Sequence, residues 1–213
     1  MKNTINPLPP SFTWTQIPTT FPPRWGHSLV NLANSLLLFA GYSGQYLSDL
    51  WHYDLQVFKW SQFQLSNPPE PRSHHTAVAF FVDKKAKNEQ NSQKMITFGG
   101  KTKNNRVLGD LYELNWDIKK WKLIENKGIG PCGRSGHSAE ILLGEYMVVY
   151  GGENIVDLND LWVLELRSYQ WKKMNVYGKA PKARKFHSSC VYQDRLYILG
   201  GCYDNYESLG YEI

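Results

Sequence analysis

Long apolar runs are missing from this 213-residue chain: unbroken ones such as Leu36 to Ala40 are strand-sized, far short of the ~18 residues that a membrane span requires. The opening residues Met1-Lys2-Asn3-Thr4-Ile5-Asn6-Pro7 contain no apolar h-region, so no secretory signal is expected. Cysteine is scarce. Cys132, Cys190 and Cys202 form no Cys-x-x-Cys pair, and their odd number points to free, buried or inert thiols in a reducing, cytoplasmic setting. A strong excess of one charge is also absent. The 24 Lys and Arg against 19 Asp and Glu leave a net +5, no nucleic-acid signature accompanies them, and neither a nucleic acid nor a membrane is expected as partner. What the chain has in quantity is aromatic residues, 8 Trp and 13 Tyr among them, together with 17 Gly and 11 Pro. With 42% hydrophobic residues, that mixture suits many short strands punctuated by turns, packed into a core.

The order within the chain is periodic. Arg-x-x-His occurs four times, at Arg24-Trp25-Gly26-His27, Arg72-Ser73-His74-His75, Arg134-Ser135-Gly136-His137 and Arg184-Lys185-Phe186-His187. The histidines step by 48, 62 and 50 residues, and the long step contains a polar tract from Asp83 to Lys94. Each histidine is followed by an apolar run ending in glycine, at Gly41, Gly100, Gly152 and Gly201. Asp-Leu-aromatic follows at Asp49, Asp110 and Asp160, and then a strand-like segment with Trp60, Trp121 or Trp171. Several unrelated markers share one order and one spacing, the mark of a repeat architecture.

Each unit reads as four short strands, A to D. Strand A follows the histidine, as at Ser28 to Leu32. Strand B is the continuous apolar run of an inner strand buried on both faces. Strand C alternates and strand D carries the tryptophan. A lone four-stranded sheet of this kind leaves two apolar faces open, and setting such sheets around an axis buries them, which is the propeller solution. The expected boundaries are 24–65 for the first blade, 72–126 for the second with an insertion at 83–94, 134–176 for the third, and 184–213 for strands A to C of the fourth, within a single domain of 1–213.

The order Arg-x-x-His, Gly-Gly, Asp-Leu-aromatic, Trp resembles the kelch repeat, and the copies extend from Trp14 onward. The resemblance implies an all-β kelch propeller of four-stranded antiparallel blades, about four in number. It also implies closure by an N-terminal strand, here 11–20 around Trp14, supplying strand D to the last blade. The alternative is a larger propeller completed by more repeats or by another chain. Kelch propellers mostly act as protein-binding modules, and a minority are enzymes.

Residues recurring in every copy are expected to be wiring: histidines bonding the backbone within or between blades, Asp49, Asp110 and Asp160 accepting backbone N–H bonds, and the tryptophans packing between blades. Arg24, Arg72, Arg134 and Arg184 all fall at D–A connections and so surround one face. They are read either as structural salt bridges or as a basic rim, helped by Lys182 and Lys185, that steers an acidic partner. Recognition is expected where the copies differ, in the B–C loops of that face. These contribute Tyr42, Gln45 and Tyr46; Lys101, Lys103, Asn105 and Arg106; Glu153 and Asn154; and Tyr203, Asp204 and Tyr206, joined by Trp25 and Phe186 from the D–A side. Aromatics beside Arg are the usual make-up of protein-binding hot spots.

Catalysis finds little support. Plant specifier proteins of similar fold use Glu-x-x-x-Asp-x-x-x-His for iron; here Glu153 and Asp157 match, but Leu161 stands in the place of the histidine. The Tyr–Cys set of the copper radical oxidases has no identifiable counterpart, and Gly-x-Ser-x-Gly, phosphate-loop and His-Glu-x-x-His motifs are absent. The expectation is a non-catalytic, cytoplasmic interaction scaffold without cofactor or metal, binding a protein or acidic peptide. Two alternatives are a small-ligand or metal-dependent enzyme using the central channel and a structural subunit whose blades another chain completes.

Overall fold

A computed structural model of the chain describes residues 13–82, 92–125, 128–203 and 207–208. It is all-β. The first repeat forms the antiparallel sheet β1 (Ser28–Leu32), β2 (Ser35–Tyr42), β3 (Tyr46–Asp54) and β4 (Lys59–Phe63) in sequence order. The second forms β5 (Thr76–Val82), β6 (Ser92–Phe98), β7 (Leu111–Asn115) and β8 (Lys120–Ile124). The third forms β9 (Ser138–Leu142), β10 (Tyr146–Tyr150), β11 (Leu161–Glu165) and β12 (Gln170–Lys173). The fourth repeat provides two ladders of two strands, β13 (Ser188–Tyr192) with β14 (Arg195–Leu199), and β15 (Cys202–Tyr203) with β16 (Glu207–Ser208). A 3-10 turn lies at Lys103–Asn105. Among the described residues no helix is long and apolar enough to cross a membrane.

The core consists of slabs between consecutive sheets. Val30, Leu37 and Phe39 of the first sheet meet Met95, Leu114 and Trp121 of the second. The equivalent Val78, Ile96 and Phe98 meet Met147, Val149 and Trp171 of the third. Strand B is buried on both faces because it serves both slabs, which explains its unbroken apolar run. Trp121 and Trp171 do pack between blades, their rings 5.1 and 5.2 Å from Phe39 and Phe98. Trp60 has Phe21 as its neighbour instead, at 5.1 Å.

The arginines and aspartates form the inner frame of each blade. Arg72 grips both carboxylate oxygens of Asp110 at 2.7 and 2.8 Å and the Gly99 carbonyl at 2.9 Å. Arg24 does the same with Asp49 and Ala40, and Arg134 with Asp160 and Gly151. Arg184 is likewise fully buried and donates to the Gly200 carbonyl at 2.9 Å. The bidentate fork makes each pair a charge-assisted clamp between the D–A turn and the end of strand B. Two expectations are corrected here. The four arginines are no basic rim, because a guanidinium enclosed by its own blade offers no charge to a partner. The aspartates serve chiefly those arginines; Asp49 and Asp160 also accept from the Trp51 and Trp162 indoles, and the expected bond from a backbone N–H is present in both but is the smallest contribution.

His27 bonds the Arg24 backbone within its own turn, as expected, whereas the other three histidines join one blade to the one before it through side-chain hydroxyls. His75 Nε2 shares a hydrogen bond with Ser28 Oγ at 2.9 Å, His137 with Thr76 Oγ1 at 2.8 Å, and His187 with Ser138 Oγ at 2.8 Å. Burial, followed by the nearby Arg charge, drives His75 and His137 well below the usual imidazole range and His187 to about 4. These rings are neutral at pH 7.

Three further expectations differ from what is found. Thr13 to Ile17 forms no strand and Trp14 is fully exposed; residues 11–12 of the expected closing segment lie outside the described residues, as does the edge it was to join. The candidate strand C at 209–213 lies outside the described residues. In the polar tract, Ser92, Gln93 and Lys94 belong to β6 and pair with Val82, Phe81 and Phe80, because Lys94 finds Glu113 at 2.9 Å across the sheet; 83–91 lies outside the described residues. All three thiols are free, and Cys132 and Cys190 are exposed rather than buried.

Candidate interaction face

The third residue of every Arg-x-x-His element lies nearest its neighbours in adjacent blades. His74 N–H donates to the Gly26 carbonyl at 2.8 Å, Gly136 N–H to the His74 carbonyl at 2.9 Å, and Phe186 N–H to the Gly136 carbonyl at 2.8 Å. All four residues adopt the left-handed conformation, with φ of 63°, 52°, 65° and 55° in chain order. Glycine takes this conformation freely, whereas a bulky residue is held there against a cost of about 1–2 kcal/mol. Two blades therefore use glycine, and two hold an aromatic ring under strain.

Those rings form a row. Trp25 lies 4.9 Å from His74, and His74 lies 5.0 Å from Phe186, between ring centroids. Phe186 covers Gly136, where an added Cβ would stand 2.8 Å from its ring. At the other end Trp25 meets Tyr42 at 5.1 Å, and Tyr42 meets Tyr46 at 5.2 Å. Trp25 remains 55% exposed and Phe186 39%. Burial, then Lys101, lowers the His74 imidazole below its ordinary range, so the row carries no charge of its own at pH 7.

An ion array flanks the row. Glu153 accepts from Lys185 Nζ at 2.7 Å and faces Lys101 Nζ at 3.5 Å, and Lys185 also reaches Asp157 at 3.1 Å. Burial pushes the Glu153 carboxyl up, but Lys185 and Lys101 outweigh it and hold it below the usual range. The Lys185 ammonium thus occupies the space between Glu153 and Asp157, the two residues matching the iron pattern. Among the described residues no group of three or more His, Cys, Asp or Glu is arranged to hold a metal ion.

The remaining sequence candidates are scattered around this centre. Gln45, Lys103, Asn105 and Arg106 are exposed, Arg106 in an ion pair with Glu70. Asn154 is exposed and its amide donates to the Gly133 carbonyl at 2.8 Å. Tyr203 lies 5.4 Å from Lys182 Nζ. Asp204 and Tyr206 fall outside the described residues. Sequence reasoning missed His74, the centre of the row, because it was read as a neighbour of the repeated His75; comparing Gly26, His74, Gly136 and Phe186 as one position would have exposed it. It also passed over Ile155 and Val156, both exposed at a B–C loop tip.

The chain resembles known proteins over most of its length. The model of the KLHDC2/KLHL20/DRC7 Kelch-repeats domain matches residues 9–201. The host cell factor homolog hcf-1 of Caenorhabditis elegans is 32% identical over 207 residues, covering 84% of this chain and 25% of that protein. Acyl-CoA-binding domain-containing protein 4 of Arabidopsis thaliana is 26% identical over 191 residues, covering 88% and 27%. Kelch domain-containing protein 2 of Bos taurus is 29% identical over 156 residues, covering 71% and 35%. The chain spans about a quarter to a third of the length of these relatives. With the four-part repeat, the stacked antiparallel sheets and this match, the chain belongs to the kelch-repeat family of β-propellers.

Proposed function

We propose that this chain is a non-catalytic, cytoplasmic interaction scaffold that binds a partner protein through the D–A/B–C face, with Trp25, His74 and Phe186 at the centre of the contact. The observation that supports this most is the strained position of His74 and Phe186. Sister repeats satisfy the same backbone geometry with glycine, so the two rings serve something other than the fold. Tyr42, Tyr46, Ile155 and Val156 extend the apolar surface, and aromatic rings on a rigid support lose little entropy on binding. With the arginines enclosed, a preference for acidic peptides rests on the exposed Lys103 and on Lys101, which shares Glu153 with Lys185.

The test separates binding from folding. His74→Gly and Phe186→Gly install the residue that the sister repeats use, so the fold is retained, relief of the left-handed backbone offsetting the lost ring contacts. Quantitative affinity capture with the wild type and the double variant is expected to show specific partners reduced at least tenfold by the double variant. Ile118→Ala, exposed at a C–D turn of the opposite face, is expected to leave them unchanged. Equal recovery with the double variant, or loss with Ile118→Ala alone, overturns the proposal.

A further inference from the structure

The three contacts between consecutive blades repeat one pattern, and both halves of that pattern recur uncovered at opposite ends of the array. On the forward face, Phe39, Phe98 and Tyr150 are buried by the next blade, whereas the equivalent Leu199 is 47% exposed. Its neighbours Tyr192, at 64%, and Tyr197 are exposed with it, as are Ser188 and Cys190. On the backward face of the first blade His27 is exposed, whereas His75, His137 and His187 are buried, and Leu29 is 53% exposed. The described residues thus present the two halves of the same interface, one on the fourth blade and one on the first.

We propose that a second copy of this chain docks head to tail, its first blade covering the fourth blade of its neighbour. The internal contacts specify the register. Ser28, Thr76 and Ser138 each take the histidine of the following blade, so Ser188 takes His27 of the copy. Glu140 Oε1 accepts from Ser189 Oγ at 2.7 Å across the third contact; Cys190 and Leu29 occupy those two positions. Lys94 approaches the Tyr169 hydroxyl at 3.5 Å across the second contact; Arg195 and the exposed Phe58 stand there instead, as a cation over a ring. The occupant is a second copy because this chain itself carries a counterpart at each of these three contact points, and contact between two different patches of identical chains is heterologous association. This inference is independent of the binding role proposed for the loop face and is read by mass and crosslinks alone.

Light scattering on the full chain is expected to give a mass above 24.6 kDa that rises with concentration, returning to the single-chain value in Tyr197→Asp. In Leu29→Cys, a short bismaleimide is expected to join the introduced thiol to Cys190 between chains, identified by peptide mass and abolished by Cys190→Ser. A wild type that keeps the single-chain mass up to its solubility limit overturns the proposal, whatever the variants do. A crosslink from the introduced thiol to Cys190 within one chain overturns it in favour of four blades closing on themselves. An oligomer whose interchain crosslinks exclude that pair of peptides overturns it in favour of another surface.

Discussion

Arg72 and His74 stand two residues apart in one turn and belong to different parts of the molecule. Arg72 is fully buried, holds Asp110 with both arms of its guanidinium, and has a counterpart in every repeat. His74 lies in the aromatic row, keeps a left-handed backbone that two other repeats give to glycine, and is matched only by Phe186. The difference teaches how this repeat divides its labour. Groups that recur are consumed by the blade's own framework, including charges that look available from sequence, and what remains free for recognition is where one copy departs from the others.

The largest effect should come from breaking the framework. Arg134→Ala leaves Asp160 without the partner that outweighs its burial, and loss of one member of such a buried pair costs about 3–5 kcal/mol, measured by urea unfolding. Arg106→Ala, which removes an exposed pair with Glu70, should leave the urea midpoint almost unmoved. Equal shifts would erase the distinction between framework and surface arginines.

Acid should strike the framework next. The histidine pKa values are lower in the folded state, so the unfolded chain binds more protons between the two values and stability falls as pH drops. His187, taken from 6.5 to about 4, contributes on the order of 3 kcal/mol that is fully present above about pH 6.5 and lost by about pH 4. His75 and His137 add to the same slope. The depressed Asp49 and Asp160 act further down, their stabilisation lost as pH falls through the folded carboxylate values. Thermal melts between pH 7 and 4 should show a steep decline that is shallower in His187→Gln. A flat profile would mean that these rings are charged in the folded state.

The smallest effect refines the glycine argument. Ala40 stands where the other repeats have the first glycine of the pair, with φ of 58° against 66°, 64° and 68° at Gly99, Gly151 and Gly200. Ala40→Gly should raise stability by roughly 1 kcal/mol. The reverse change at Gly99, where an added Cβ would meet the Arg134 carbonyl at 2.5 Å, should lower the melting temperature. A neutral result at both would remove backbone strain as the reason for glycine at this position.

Strand positions were accessible to sequence reading because they follow from local pattern. Ser28–Leu32, Ser188–Tyr192 and Arg195–Leu199 form strands where alternation and apolar runs place them. The aromatic row was half legible: Trp25 and Phe186 stood out as large residues in a D–A turn, while His74 was masked by the histidine beside it. The fate of the arginines was not legible, since a guanidinium at a turn reads the same whether it faces water or a carboxylate 38 residues away.

The amino-acid order by itself determined the repeat, the strands and the family, because periodic apolar and glycine positions act through neighbours close in the chain. Only the tertiary structure decided which charges are enclosed, which rings meet, and which blade faces stay uncovered. Those outcomes depend on groups brought together from separate repeats, and distance in space between them is set by sheet packing rather than by any local feature of the sequence.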